Sequence, residues 1–367
     1  MAPERRRAGG LSVDGTALVL CGTQFRTDNG KTAHGLVRGT ERYRIVGIVD
    51  SSCPGEDAGR LLDGVPRGIP VFASIPDALD ALPDRPDFAV VGIATSGGRI
   101  PPEIKAAIAE AIDSGLSIVN GLHDPVSDDP ALAEAARRRG VSITDVRRPR
   151  PISELHFWTG EIRKLATPRI AVLGTDCAVG KRTTARLLTE ACRRSGLRAE
   201  MVFTGQTGWL QGGRWGFLLD ATPNDFVSGE LERAVLACAR EARPDVIFLE
   251  GQSSLRNPSG PCGSELLLSG GARAAVLQHA PARVEFEGFE GMGFPIPAVE
   301  DEIALIESYG ARTVGVALNT HGLEGDRREE VRDALAARLG IPVVCPLEDG
   351  VEPLVAAVRK FVAEENA

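Results

Sequence analysis

Short apolar runs alternate along this chain with stretches whose apolar positions recur at helical spacing. Thr16–Cys21 (TALVLC) is the first run and leads into a glycine-containing loop; Arg44–Val49 (RIVGIV) is the second and ends at Asp50. Gly68–Phe72, Phe88–Ile93, Ser117–Asn120 and Val141–Thr144 follow. Between them, Pro102–Ser114 sets Ile104, Ala107, Ile108, Ala111 and Ile112 on one helical face. This alternation predicts βαβ units and a mostly parallel sheet. Ligands of such sheets sit at the carboxyl ends of the strands.

The character changes at Asp145–Pro151 (DVRRPRP), where arginines and prolines predict an exposed, extended connector. A second series then begins with Arg169–Leu173 (RIAVL) and continues through Ala199–Phe203, Val246–Leu249, Ala274–Leu277, Thr313–Leu318 and Pro342–Cys345. The expected division is into residues 1–148 and 149–367.

Composition narrows the function classes. A length of 367 residues exceeds one ordinary core and suits two. With 43% hydrophobic and 25% charged residues, the chain is expected to fold rather than stay disordered. A net charge of -8 argues against nucleic-acid partners, so any anionic ligand needs a local cluster of donors. Seven cysteines without CxxC spacing read as reduced thiols and not as a zinc site. Met1–Gly10 is basic and polar, with no apolar run after it long enough for a signal peptide or membrane span, so a cytoplasmic location without membrane contact is expected.

The densest chemistry follows RIAVL. Gly174, Thr175, Asp176, Cys177, Ala178, Val179, Gly180, Lys181, Arg182, Thr183 and Thr184 form a glycine-bounded turn between a strand and the helical pattern Ala185–Ser195. Such a turn aims backbone N–H groups and the positive helix end at an anion, and Lys181 adds a charge that reaches outer phosphates. Position 182, where a hydroxyl normally follows the lysine, is Arg, which leaves Thr183 or Thr184 to hold magnesium. The longer form G-T-D-x-x-V-G-K resembles the P-loop of dethiobiotin synthetase and the cobyric-acid-synthase-like enzymes.

Other candidates fall at strand ends. Glu250 closes DVIFL and resembles the second acidic motif of P-loop enzymes; with Asp176 and Thr183 it is a candidate magnesium ligand. Asn319 follows TVGVAL, where dethiobiotin synthetase-like proteins place an adenine-reading Asn. Gln206 and Thr207, in the glycine-rich segment Thr204–Trp209, should line the same crevice and offer donors to substrate. Gln252, Ser253 and Arg256 lie in a donor-rich loop, and Arg256 suits a substrate carboxylate. His279, Asp225 and Glu250 are the candidate general bases. No Ser–His–Asp order supports a nucleophile at Ser253, Ser254 or Cys177.

Together these landmarks resemble a P-loop family long catalogued as a domain of unknown function, whose characterised members include D-glutamate N-acetyltransferases. In the first half the likeness rests on Asn29-Gly-Lys-Thr-Ala-His34, Ile48-Val-Asp50-Ser, Gly97-Gly-Arg99, Gly121-Leu-His123 and Asp145-Val-Arg-Arg-Pro149. In the second it rests on Gly174-Thr-Asp-Cys-Ala-Val-Gly-Lys181, Gly205-Gln-Thr-Gly-Trp209, Asp225-Phe-Val-Ser-Gly229 and Glu250-Gly-Gln252. The resemblance implies an α/β protein of two doubly wound domains, N-terminal Rossmann-like and C-terminal P-loop NTPase-like. It also implies acetyl-CoA as donor to the amine of an acidic amino acid such as D-glutamate. One departure stands out: the family reads Ser-Leu-x-His-Pro after Glu-Gly-Gln, whereas this chain has Asn257 where the histidine falls.

In the first domain Asp50 ends its second strand as a ribose-binding acid would, but Cys21-Gly-Thr-Gln-Phe-Arg26 lacks G-x-G-x-x-G spacing. Lys31, Thr32 and His34 suit a substrate or inter-domain contact, or a solvated loop. Three functions compete. Acetyl transfer from acetyl-CoA needs a base and an oxyanion donor. Phosphoryl transfer or ligation with ATP and Mg²⁺ would use Lys181, the hydroxyls, the acids and Asn319. A nucleotide-gated scaffold would use the loop alone. A homo-oligomer is expected as a base rate for such domains.

Overall fold

The computed structural model describes residues 13–323 and 325–367. Met1–Gly10, read above as a basic polar start, lies outside them. The chain forms two compact units. One comprises the described part of Met1–Pro149 together with Gln206–Gly213; the other comprises Arg150–Gly205 and Arg214–Ala367.

The first unit is built on six strands: β1 (Gly15–Gly22), β2 (Tyr43–Asp50), β3 (Val71–Phe72), β4 (Phe88–Val91), β5 (Ser117–Asn120) and β6 (Ile143–Asp145). They pair in parallel in the order β3-β2-β1-β4-β5-β6, the doubly wound arrangement with its switch point at β1. Ala17–Cys21 of β1 are fully buried, as a strand covered on both faces requires. The helix Pro102–Asp113 starts with proline in its first turn and buries Ile104, Ile108, Ala111 and Ile112. Lys31, Thr32 and His34 belong to a helix, Lys31–Arg38, that buries Thr32, Ala33, Leu36 and Val37. Asp50 is fully buried. One carboxylate oxygen accepts from the Phe25 amide at 2.8 Å, and the other from the Ser52 amide at 2.9 Å and the Ser52 hydroxyl at 2.5 Å. The acid therefore closes the turn after β1 with its own chain.

Gln206–Leu210 is a short helix. Its apolar residues decide its place: Leu210 is fully buried in the first core, and Trp209 packs against that core. Gln206 Oε1 accepts from Arg147 Nη2 at 2.8 Å, and the Arg42 guanidinium lies over the Trp209 ring at 4.0 Å. The segment that follows Ala199–Phe203 in sequence thus belongs to the first unit. Leucine and tryptophan draw it there.

The second unit has seven strands: β7 (Arg169–Gly174), β8 (Ala199–Phe203), β9 (Trp215–Gly216), β10 (Val246–Glu250), β11 (Ala274–His279), β12 (Arg312–Leu318) and β13 (Val343–Val344). They are parallel, in the order β13-β12-β11-β7-β10-β8-β9. Alternate residues of β7 enter opposite cores, Ala171 and Leu173 on one face and Ile170 and Val172 on the other. Central β7 has β10 and β11 as neighbours, so the loop after β7, Glu250 and His279 all reach one carboxyl edge.

Two buried acids on the helix Asn224–Ala242 fix the stretch after Pro149. Glu230 accepts from Arg150 Nη1 at 2.7 Å, the His156 amide at 2.9 Å and Arg233 Nη2 at 2.9 Å. Glu232 accepts from the amides of Thr159 at 2.6 Å and Ile162 at 3.1 Å. Just before them Gly229 lets the backbone of His156 approach so closely that a Cβ would overlap its carbonyl oxygen.

Candidate functional site

The loop after β7 is shaped by backbone positions that few residues tolerate. Ala178 (φ 49°) and Ser253 (φ 46°) are left-handed without being glycine, and Gly180 (φ 108°) caps the helix Lys181–Arg194. The strained pair lies around Lys181, which is only 6% exposed. Its Nζ donates at 2.6 Å to the carbonyl oxygens of both Asp176 and Ser253. Burial pushes the ammonium pKa down, while Cys177, Glu250 and Asp176 pull it up. An incoming anion would offer this charge a better partner than two carbonyls.

Asp176 is fully buried. Oδ1 accepts from the Cys177 amide at 2.6 Å and Asn257 Nδ2 at 3.1 Å; Oδ2 accepts from Arg283 Nη1 and the Glu287 amide, both at 2.8 Å. Arg283 Nη1 also donates to the Cys177 carbonyl at 2.7 Å. Four donors thus fill the carboxylate that the sequence offered to magnesium. Asn257 acts as a clamp: while its Nδ2 holds Asp176, its Oδ1 accepts from the Ser259 amide at 3.0 Å and hydroxyl at 2.8 Å. The Cys177 thiol reaches Ser253 Oγ at 3.5 Å.

Glu250, at the end of β10, meets Arg182 Nη1 at 3.3 Å. The Thr184 hydroxyl donates to Gln278 Oε1 at 2.6 Å, and Thr183 is partly buried. Both oxygens of Asp176 are taken, one oxygen of Glu250 is engaged by Arg182, and among the described residues no group of three or more His, Cys, Asp or Glu is placed to hold a metal ion. The Thr204 hydroxyl donates to the Glu250 carbonyl at 2.8 Å, and Gln252 Nε2 donates to the Thr204 carbonyl.

His279 ends β11 with Nδ1 3.0 Å from the Thr175 hydroxyl, and the Thr175 amide donates to the Gln278 carbonyl at 2.9 Å. Burial lowers the His279 pKa to about 4, against a weaker opposing pull from Glu300. The imidazole is therefore neutral at pH 7 and can accept a proton, although weakly. The folded pKa of about 4 lies below the ordinary 6.5, so the unfolded chain takes up the proton first as pH falls. This contribution is intact above pH 6.5 and is lost progressively from there towards pH 4. Melting temperatures across that window should fall less steeply in His279→Gln than in the unmodified protein. Parallel curves would contradict the buried neutral imidazole.

Asn319 follows β12; its amide donates to the His279 carbonyl at 2.7 Å, and its Oδ1 accepts from the His321 amide at 3.0 Å. Arg256 is held through Nε by Glu302 Oε1 at 2.6 Å. Glu302 is buried, and burial raises its pKa. Asp225 is exposed in the first turn of its helix, and among the described residues no hydrogen bond or ion pair ties it to the loop. Gln206 and Thr207 belong to the first unit. The structure thus gathers Gly174–Thr184, Glu250, Ser253, His279 and Asn319 along one edge. It adds Gln278, Arg283 and Glu287, which sequence reasoning left without roles. Gln278 carried one signal, its place at a strand end beside His279; Arg283 and Glu287 carried none.

Comparison with known proteins bears on both units. Residues 51–149 match the family described as "Domain of unknown function (DUF1611_N) Rossmann-like domain", and residues 156–355 match "Domain of unknown function (DUF1611_C) P-loop domain". A D-glutamate N-acetyltransferase of Pseudoalteromonas sp is 33% identical over 274 residues, which span 73% of this chain and 80% of that protein. A D-glutamate N-acetyltransferase of Tritonibacter scottomollicae is 31% identical over 276 residues, with the same 73% and 80% coverage. The crystal structure of a DUF1611 family protein from Anabaena variabilis matches with a TM-score of 0.85 and 31% identity, over 95% of this chain and 100% of that one.

Proposed function

This chain belongs to the DUF1611 family, a Rossmann-like domain followed by a P-loop domain, and we propose that it transfers an acetyl group from acetyl-CoA to the amine of an acidic amino acid such as D-glutamate. The observation that carries the reading is the 33% identity to a D-glutamate N-acetyltransferase across 80% of that protein's length. The site agrees chemically. Coenzyme A carries a pyrophosphate and a further phosphate, and the loop amides, the helix start and Lys181 form a donor cluster for such groups.

The reaction joins the amine nitrogen to the thioester carbonyl carbon, breaks the C–S bond and releases the coenzyme A thiol. The proton lost by the attacking amine needs an acceptor. Of the three bases considered, Glu250 is engaged by Arg182 and Asp225 is exposed, which favours the neutral imidazole of His279. Gln252 or a loop amide is assigned to the oxyanion. Arg256, with Nε fixed by Glu302, presents its Nη groups to the substrate carboxylate. Gln206 and Thr207 remain substrate candidates.

The test follows free thiol with acetyl-CoA and D-glutamate, L-glutamate, or no amino acid, and identifies the product by mass. Thiol release that depends on an acidic amino acid, with N-acetylated product, supports the reading. Release with none of them overturns it. A carboxylate-dependent ADP signal with ATP and Mg²⁺ would replace it with the ligase chemistry.

A further inference from the structure

We propose that the phosphate site of this protein works without a divalent cation, because Arg182 stands where P-loop enzymes keep the magnesium-binding hydroxyl. The inference rests on the reading that the loop holds the phosphates of acetyl-CoA. In P-loop NTPases the hydroxyl after the lysine and an acid at a neighbouring strand end hold the ion, which bridges the outer phosphates. Both parts are altered here in a correlated way. The residue after Lys181 is Arg182, and its guanidinium meets Glu250, the strand-end acid, at 3.3 Å. A fixed positive charge on that carboxylate repels a second cation and removes the acid's need for one.

The alternative donors fail for separate reasons. Asp176 is fully buried, and its two oxygens are taken by four N–H groups, one of them on Arg283. The Thr184 hydroxyl is directed to Gln278. Thr183 lies one position, about 100°, further round the helix than the residue that normally ligates. Thr183, Asp176 and Glu250 therefore do not fit magnesium.

Positive charge for the phosphates comes from Lys181 and the helix start, since Arg182 and Arg283 are paired with Glu250 and Asp176. Lys181, Arg182 and the helix start lie at one end of the loop, and Arg283 braces its middle. The chemistry agrees with this arrangement. Acyl transfer breaks a C–S bond, so no charge develops on a phosphate and no bridging ion is required there. Phosphoryl transfer is the reaction that depends on one.

Calorimetric titration of the full chain with coenzyme A, in excess EDTA and in excess magnesium, separates the outcomes. The expected dissociation constants agree within about threefold. Arg182→Thr restores the hydroxyl and frees Glu250, so its affinity in EDTA should drop about tenfold and recover in part with magnesium. If coenzyme A binds the unmodified protein only with magnesium, the inference falls while acetyl transfer stands. If coenzyme A binds in neither buffer, the acetyl-CoA reading falls, and the same pair of titrations with ATP decides. ATP binding that ignores EDTA supports a metal-free site; binding only with magnesium, or none at all, overturns it. The comparison on the unmodified chain decides even if the variant fails to fold.

Discussion

Lys181→Ala is expected to weaken coenzyme A binding by roughly 100-fold, the upper part of the range for a charged hydrogen-bond donor at a phosphate. Lys181 is 6% exposed and its ammonium is directed at two backbone carbonyls, so the side chain is already desolvated and positioned before ligand arrives. Little reorganisation stands between this arrangement and a bound phosphate, which is why the loss should be large. Lys181→Met retains the aliphatic stem and should lose affinity to a similar degree, separating charge from packing. Calorimetry on both variants gives the answer. Affinity within about threefold of the unmodified protein would remove the lysine from the phosphate site.

Asp176→Ala should strongly destabilise the second unit. It strands Arg283 against the loop and removes the acceptor of the Cys177 and Glu287 amides and of Asn257. Breaking a buried pair by deleting one partner costs about 3–5 kcal/mol. At roughly 2–4 °C per kcal/mol for a unit of this size, the melting temperature of that unit should fall by about 10 °C. Asp176→Asn keeps one acceptor oxygen and should lie between the two. A fall of no more than about 2 °C for the alanine variant would show that the carboxylate is not the centre of the loop's bonding.

Much of the fold was legible because it is written locally. Ser117–Asn120 and Ala199–Phe203 are strands over the residues their apolar runs mark. Gly68–Phe72 shrinks to Val71–Phe72, since Gly68 is left-handed (φ 67°) and Pro70 has no N–H for a ladder. The helix expected from Ala185 starts at Lys181: Gly180 caps it, and its first turn is polar because it faces the site. Gln206–Leu210 was hidden by Gly205 and Gly208, whose composition reads as loop while Leu210 anchors the segment in a core. The P-loop could be recognised by its spacing. The network beneath it could not. Asp176 finds Asn257 across 81 positions and Arg283 across 107, and no periodicity encodes partners so far apart.

The acids of the helix Asn224–Ala242 also determine how much chain the C-terminal half needs in order to exist as an autonomous piece. Excised from residue 166 onward, it would retain both glutamates but forfeit Arg150, His156, Thr159 and Ile162, leaving Glu230 with Arg233 and Glu232 without its amide donors. Excised from Arg150, it would keep every one of those groups. The segment that looks like a tether is thus a covalently attached counter-charge, and the smallest self-sufficient version of this half begins before its first strand.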